Sequence, residues 1–237
     1  MKTQVTRQGL RGPRMLPDAC GWGLAMILLV MGCAQMRLPS LPWQAGPREA
    51  PGINTLAGQV AEVKLLASRA DSMEPGEVQR VMARFAASFG QDAKSSVPVK
   101  MAVLAALPEF PASQSVPVVA LAVKDADASV RTEACNAAAK IGTGDAMQLL
   151  VATLGDEQSN DVRLAAARGL GGFRDPAVVG ALGGLLDDRD PAVQYVAMQS
   201  LERVTGEDGG QDVRQWKKML ESPEVLTARM SGETLRR

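Results

Sequence analysis

One short pattern recurs four times along this chain, and that recurrence limits the fold more than any other feature. Polar residues suited to starting a helix fall at Ser96, Asp127, Ser159 and Asp190, at spacings of 31, 32 and 31. Four residues after each stand Lys100, Arg131, Arg163 and Gln194. The residue just before each of these is a valine: Val99, Val130, Val162 and Val193. Three residues after them come Val103, Ala134, Ala166 and Ala197, and seven after come Leu107, Ala138, Leu170 and Leu201. Ten after come Phe110, Ile141, Phe173 and Val204. A fixed period of this length is the mark of one supersecondary unit copied in series.

The register has a physical reading. Ser and Asp are strong N-caps, because their side-chain oxygens accept orphan backbone N–H groups. Pro191 follows Asp190 directly, where a first-turn proline is tolerated. The apolar set at −1, +3, +7 and +10 shares one helical face. Alanine at +3 lets neighbouring helices approach closely. Each copy then has a breaker and a second apolar segment: "VPVVALAVKD", "DAMQLLVATLGD" and "DPAVVGALGGLLDD". The second helices are expected at 114–124, 145–155, 176–187 and 211–221. One helical hairpin cannot bury its apolar face alone, so the units must stack. The expected fold is all-α, an α-solenoid of stacked helical hairpins over 54–221.

The period and the D-x-x-V-R-x-x-A pattern resemble HEAT repeats, in the short bacterial form related to phycobilin-lyase HEAT-like repeats. The resemblance covers roughly residues 95–221 and implies an armadillo-type superhelix that holds protein partners on a surface lined by second helices. Ankyrin repeats have a similar period but need a T-P-L-H motif, and this chain has no histidine. The Trp/Leu-Gly/Tyr pattern of tetratricopeptide repeats is absent. In this register Lys100, Arg131 and Arg163 read as a ladder between repeats, with acids such as Asp127, Asp161 or Asp190. Gln194 breaks the ladder in the fourth copy.

Both ends need caps. At the C-terminal end Val213, Trp216 and Leu220 share a helical face, with Trp216 covering core and a partner-binding role as the lesser reading. The preceding "TGEDGG" reads as a turn. At the N-terminal end Val78, Val81, Met82, Phe85 and Phe89 form one stripe. A further helix over 54–70, with Leu56, Val60 and Val63 in phase, completes a degenerate first hairpin.

The first residues read as an address. Lys2, Arg7, Arg11 and Arg14 precede an apolar run from Gly21 to Gly32. As a helix that run spans about 18 Å, short of a hydrocarbon core of roughly 30 Å. A basic start and a short apolar segment form a secretory signal pattern. The "VMGC" that closes it resembles a bacterial lipobox. That resemblance implies cleavage between Gly32 and Cys33, acylation of Cys33, and a lipid-anchored protein of the cell envelope. The absence of Asp at Ala34 implies the outer membrane, facing the periplasm. The expected organisation is a signal peptide over 1–32, a Pro-rich linker over 33–53 after lipidated Cys33, the solenoid over 54–221 and a tail over 222–237. Of three cysteines only Cys135 then stays free, among alanines on a predicted core face.

Composition removes several chemistries. With no histidine, Ser-His-Asp triads, Cys-His dyads and histidine-ligated zinc are out. The chain is 46% hydrophobic but 3% aromatic, as alanine-rich helix packing requires. Its net charge is zero, and the mature chain would carry about −3, so no bulk field draws nucleic acid. "RGLGGF" lacks the strand and spacing of a dinucleotide loop, and "GTGD" lacks a phosphate-loop lysine. Asp187, Asp188 and Asp190 read as a helix end, a loop and a cap. No catalytic, cofactor or metal site is expected. The expected function is a lipid-anchored scaffold for unknown protein partners. The alternatives are a subunit related to the phycobilin lyases and a structural spacer.

Overall fold

The computed structural model describes residues 55–90 and 93–221. The signal segment expected over 1–32, with Gly32 and Cys33, the spacer over 33–53 and the tail over 222–237 lie outside them. The described helices fall within one compact unit, Glu49–Arg237; the other, Met1–Arg48, is wholly outside the described residues.

Among the described residues there are ten α-helices and no strand. They alternate as first and second members of five hairpins. The first members are α1 (Leu56–Ser68), α3 (Val97–Ala106), α5 (Ala128–Ile141), α7 (Asn160–Leu170) and α9 (Pro191–Thr205). The second members are α2 (Pro75–Ala86), α4 (Ala112–Ala122), α6 (Gly144–Asp156), α8 (Pro176–Gly184) and α10 (Val213–Leu220). First helices pack on first helices, α1 on α3 through to α7 on α9, and α2, α4, α6 and α8 pack in the same way. The second helix of one hairpin also meets the first of the next, as α4 meets α5 and α6 meets α7. This is an all-α solenoid.

The helix starts obey the sequence. Ser96, Asp127, Ser159 and Asp190 are the N-caps of α3, α5, α7 and α9. Asp127 accepts from the Ser129 N–H at 2.8 Å and Asp190 from the Ala192 N–H at 2.9 Å. The two serines cap with extended backbone but no side-chain bond. Helices α5 and α9 stop at Gly142 and Gly206, with φ of 70° and 73°, a left-handed turn that glycine enters without Cβ strain.

The recurrent apolar positions form the core. Val130, Val162 and Val193 are all fully buried, as are Ala134, Ala166 and Ala197. Helices α5 and α7 share the most extensive contact. A Cβ added at Gly169 would lie 3.1 Å from Ala139 Cβ and 3.2 Å from Leu150 Cδ1, so the helices are tightly packed at this point. In the first hairpin Val78, Val81, Met82, Phe85 and Phe89 are all buried, and Phe85 meets Phe110 edge-on. Leu56 departs from its expected core role: it sits in the first turn of α1 and is 47% exposed. The second helix expected over 176–187 runs as α8 only to Gly184 and ends in a 3-10 turn, Leu185–Asp187.

Candidate functional site

Two features stand out: a polar ladder down the hairpin junctions, and the exposed row of second helices. The ladder bases sit where the repeat places them. Lys100 Nζ donates to Asp125 at 2.6 Å. Arg131 meets Glu157 through two bonds, Nε at 2.7 Å and Nη2 at 3.0 Å. Arg163 pairs with Asp188.

The acids differ from those expected. Asp127 and Asp190 turn their carboxylates to backbone amides of their own helices, so they cap rather than rung. Asp190 also accepts from Asn160 at 2.7 Å, a contact between repeats with no ion pair. Asp161 makes none of the ladder's ion pairs. The true acids lie two residues before each cap and do two jobs. Asp125, Glu157 and Asp188 bind the bases, and they also accept from the N–H of Asp127 (3.0 Å), Ser159 (2.8 Å) and Asp190 (2.8 Å). The sequence signal is the recurrent acid-x-cap at 125/127, 157/159 and 188/190, which competes with the more conspicuous cap itself.

Each base therefore grips the loop that starts the next hairpin. Arg131 also reaches back, donating through Nη1 to the carbonyls of Asp125 (2.9 Å) and Ala126 (3.2 Å). Gln194 keeps only this backward bond, from Nε2 to the Asp188 carbonyl at 2.7 Å. The ladder acids Asp125, Glu157 and Asp188 are 5%, 9% and 9% exposed, unlike the surface pair Arg84–Glu62 at 62% and 44%.

The Arg131 hydrogen bonds hold the Glu157 carboxyl below its ordinary range, against the upward push of burial. Burial pushes Asp188 up too, but bonds from the Asp190 N–H and from Arg163 outweigh it and leave it lowered. A lowered carboxyl contributes stability that is complete above its unfolded-state value and is lost as pH falls through the folded-state value. The urea midpoint is therefore expected to hold from neutral pH to about 5, then fall below the ordinary carboxyl range near 4.5. The variant Arg131→Met should show a shallower fall than the parent. An identical slope in the two proteins would remove the ladder from the acid response.

The second-helix row is different in character. The exposed positions Pro117, Gln148 and Gly180 occupy one repeat register, and Leu121, Ala152 and Gly184 occupy the next turn. None carries charge; Lys124, Asp156 and Asp187 lie at the C-terminal ends of their segments. Leu121 is 45% exposed. A shallow groove of about 190 Å³ runs between α4 and α6, lined by Val123, Leu149, Ala152 and Thr153 among others.

Trp216 is not available to a partner, contrary to its lesser reading. Its side chain is 1% exposed, its Nε1 donates to the Gly210 carbonyl at 3.0 Å, and a Cβ at Gly209 would overlap the ring. Asp187, Asp188 and Asp190 are, as expected, a helix end, a loop residue and a cap; Asp187 pairs with Lys217. Among the described residues no cluster of three His, Cys, Asp or Glu side chains could hold a metal ion, and no helix is long and apolar enough to cross a membrane.

Cys135 is fully buried, and burial pushes its thiol up to about 12. Reactivity follows the thiolate. In a Cys20→Ser, Cys33→Ser variant a maleimide is expected to label Cys135 only at the rate of unfolding. Rapid labelling of the native protein would contradict its burial on α5.

Stacked two-helix units, alanine-rich first helices and a base at the fourth position after the cap define a short-period helical repeat array. The profile of HEAT repeats matches residues 90–167 and 156–231, more than half of the chain. The chain belongs to the HEAT-repeat family. No curated protein matches it.

Proposed function

We propose that this protein is a lipid-anchored scaffold of a bacterial envelope that holds another polypeptide along its second helices. The carrying observation is the uncharged row of Pro117, Leu121, Gln148, Ala152, Gly180 and Gly184, repeated in register over three hairpins. Membership of a repeat family whose stacked hairpins serve interaction supports the reading. The anchoring half rests on the basic leader, the apolar run to Gly32 and the lipobox-like "VMGC" ending at Cys33. Acylation with more than one chain gives stable membrane attachment.

Two measurements test the halves separately. Mass spectrometry of the N-terminus reads the anchor: an acylated Cys33 supports it, and an intact Met1 or an unacylated terminus removes it. Photo-crosslinkers at Leu121 and Ala152, with Lys140 on α5 as the comparison, read the surface. One discrete adduct formed from α4 and α6 but not from Lys140 supports the reading. Equal adducts from all three positions defeat it.

Glycine gives a further test on the same face. Gly180 and Gly184 lie in or at the end of α8 with helical backbone, and a Cβ at either would meet nothing within 4 Å. Within helix, glycine costs roughly 0.5–1 kcal/mol relative to alanine. Gly180→Ala is therefore expected to stabilise the isolated protein by about that amount, read as a higher urea midpoint. If the bare backbone serves the partner, the same change weakens the crosslink at Ala152.

A further inference from the structure

We propose that α10 and the connector before it form a lid, which opens from the rest of the array as one body about Gly206. Four observations meet here. First, the clasp lacks its charged base. In the inner hairpins a base on the first helix grips the loop leaving the second: Lys100 to Asp125, Arg131 to Glu157, Arg163 to Asp188. Gln194, which carries no charge, stands in that place on α9, and among the described residues it bonds only backward, to the Asp188 carbonyl. Second, the connector is glycine-rich. Residues 206–212 contain Gly206, Gly209 and Gly210, and φ is +73° at Gly206 and +61° at Gly210. The α5–α6 link, by contrast, is Gly142 and Thr143 alone.

Third, α10 is eight residues long, below the length at which an isolated helix holds itself together. Fourth, only part of its anchor lies in the body, as the Trp216 ring joins the common hydrophobic core but is also bonded to its own connector. The Trp216 ring lies over Gly209 and its N–H donates to Gly210, so indole and connector travel together. Toward the body α10 keeps the apolar contact of Trp216, Val213, Met219 and Leu220 with the core, and one ion pair, Lys217–Asp187, whose side chains are 42% and 74% exposed. Exposed pairs are weak and salt-screened.

Opening would uncover Gly183 and the side of α8 that Leu220 covers. A role for that side in holding a partner rests on the proposed function; the opening itself does not.

Hydrogen exchange of the full chain, read by mass spectrometry, tests the lid. Amides of α10 are expected to exchange at least about tenfold faster than those in the middle of α9, by a local opening insensitive to low urea. Raising salt from 0.05 to 0.5 M should speed α10 about twofold through screening of Lys217–Asp187, leaving α9 unchanged. Gly209→Ala, which crowds Trp216, should strip protection from α10 while α5 to α9 keep theirs. Equal protection of α10 and α9 in the parent would overturn the proposal. So would loss of α9 protection together with α10 in Gly209→Ala, since α9 and α10 would then open as one unit.

Discussion

Arg131→Met is expected to lower the free energy of unfolding by about 2–3 kcal/mol, measured by urea denaturation at pH 7. The change removes two charge-assisted bonds to Glu157 and two donations to the carbonyls of Asp125 and Ala126. It also leaves a carboxylate that is 9% exposed without its counter-ion. Removing one partner of a fully buried pair costs about 3–5 kcal/mol. The Arg131 side chain is 18% exposed, so water screens part of the interaction and the lower figure applies. Methionine keeps most of the apolar stem, which separates lost charge from lost packing. Arg84→Met is the matched comparison, because the Arg84–Glu62 pair is bidentate but exposed. It should cost less than about 1 kcal/mol. Adding Glu157→Gln to Arg131→Met should restore part of the loss, since an amide tolerates the site without a cation. Equal costs for Arg84 and Arg131 would mean that the ladder contributes no more than a surface pair.

The ladder also marks how far the sequence could be read. The bases were legible because they recur at one distance from the cap. The acids were not, because a cap and a rung are both satisfied by an aspartate, and only backbone geometry separates them. At Asp127 the extended cap conformation turns the carboxylate onto the Ser129 N–H, so Lys100 acts on it only through its field and pairs with Asp125 instead. Asp125 lies one turn of loop earlier and faces back across the junction. Its double use, on the Lys100 ammonium and on the Asp127 N–H, also places the cap, so one residue fixes both the helix start and the repeat contact.

The ends of the array were harder to read, for a different reason. Inside the array a residue's environment is repeated, so four copies vote on its role. Trp216 has no counterpart in the other hairpins. Its burial depends on Gly209 and Gly210, in a connector that no other repeat contains. Leu56 is in phase with Val63, but phase alone does not supply a neighbour in the first turn, and it is left 47% exposed. Periodicity states which face turns inward, and at an end there is less inward to turn to.

Ala166→Leu is expected to destabilise by about 2–3 kcal/mol, although it adds apolar surface to a buried site. Ala166 is fully exposed to other side chains and not at all to water, at 0% accessibility, as are Ala134 and Ala197 at the same register. The α5–α7 contact is already tight at Gly169, where a Cβ would come to 3.1 Å from Ala139 Cβ. A leucine at Ala166 must push α7 away from its neighbours, and the retreat breaks packing along the helix rather than at one residue. Burial of the new methyl groups offsets this only where room exists. Ala152→Leu provides the opposite case: the same chemical change on the exposed row of α6 should alter stability by less than about 0.5 kcal/mol. Because neighbouring hairpins share stability through their interfaces, Ala166→Leu should also broaden the urea transition, as the array parts at the α5–α7 junction into halves that melt separately. A single sharp transition with an unchanged midpoint would show that the interface has slack, and the alanine register would then lose its role in setting how closely the hairpins stack.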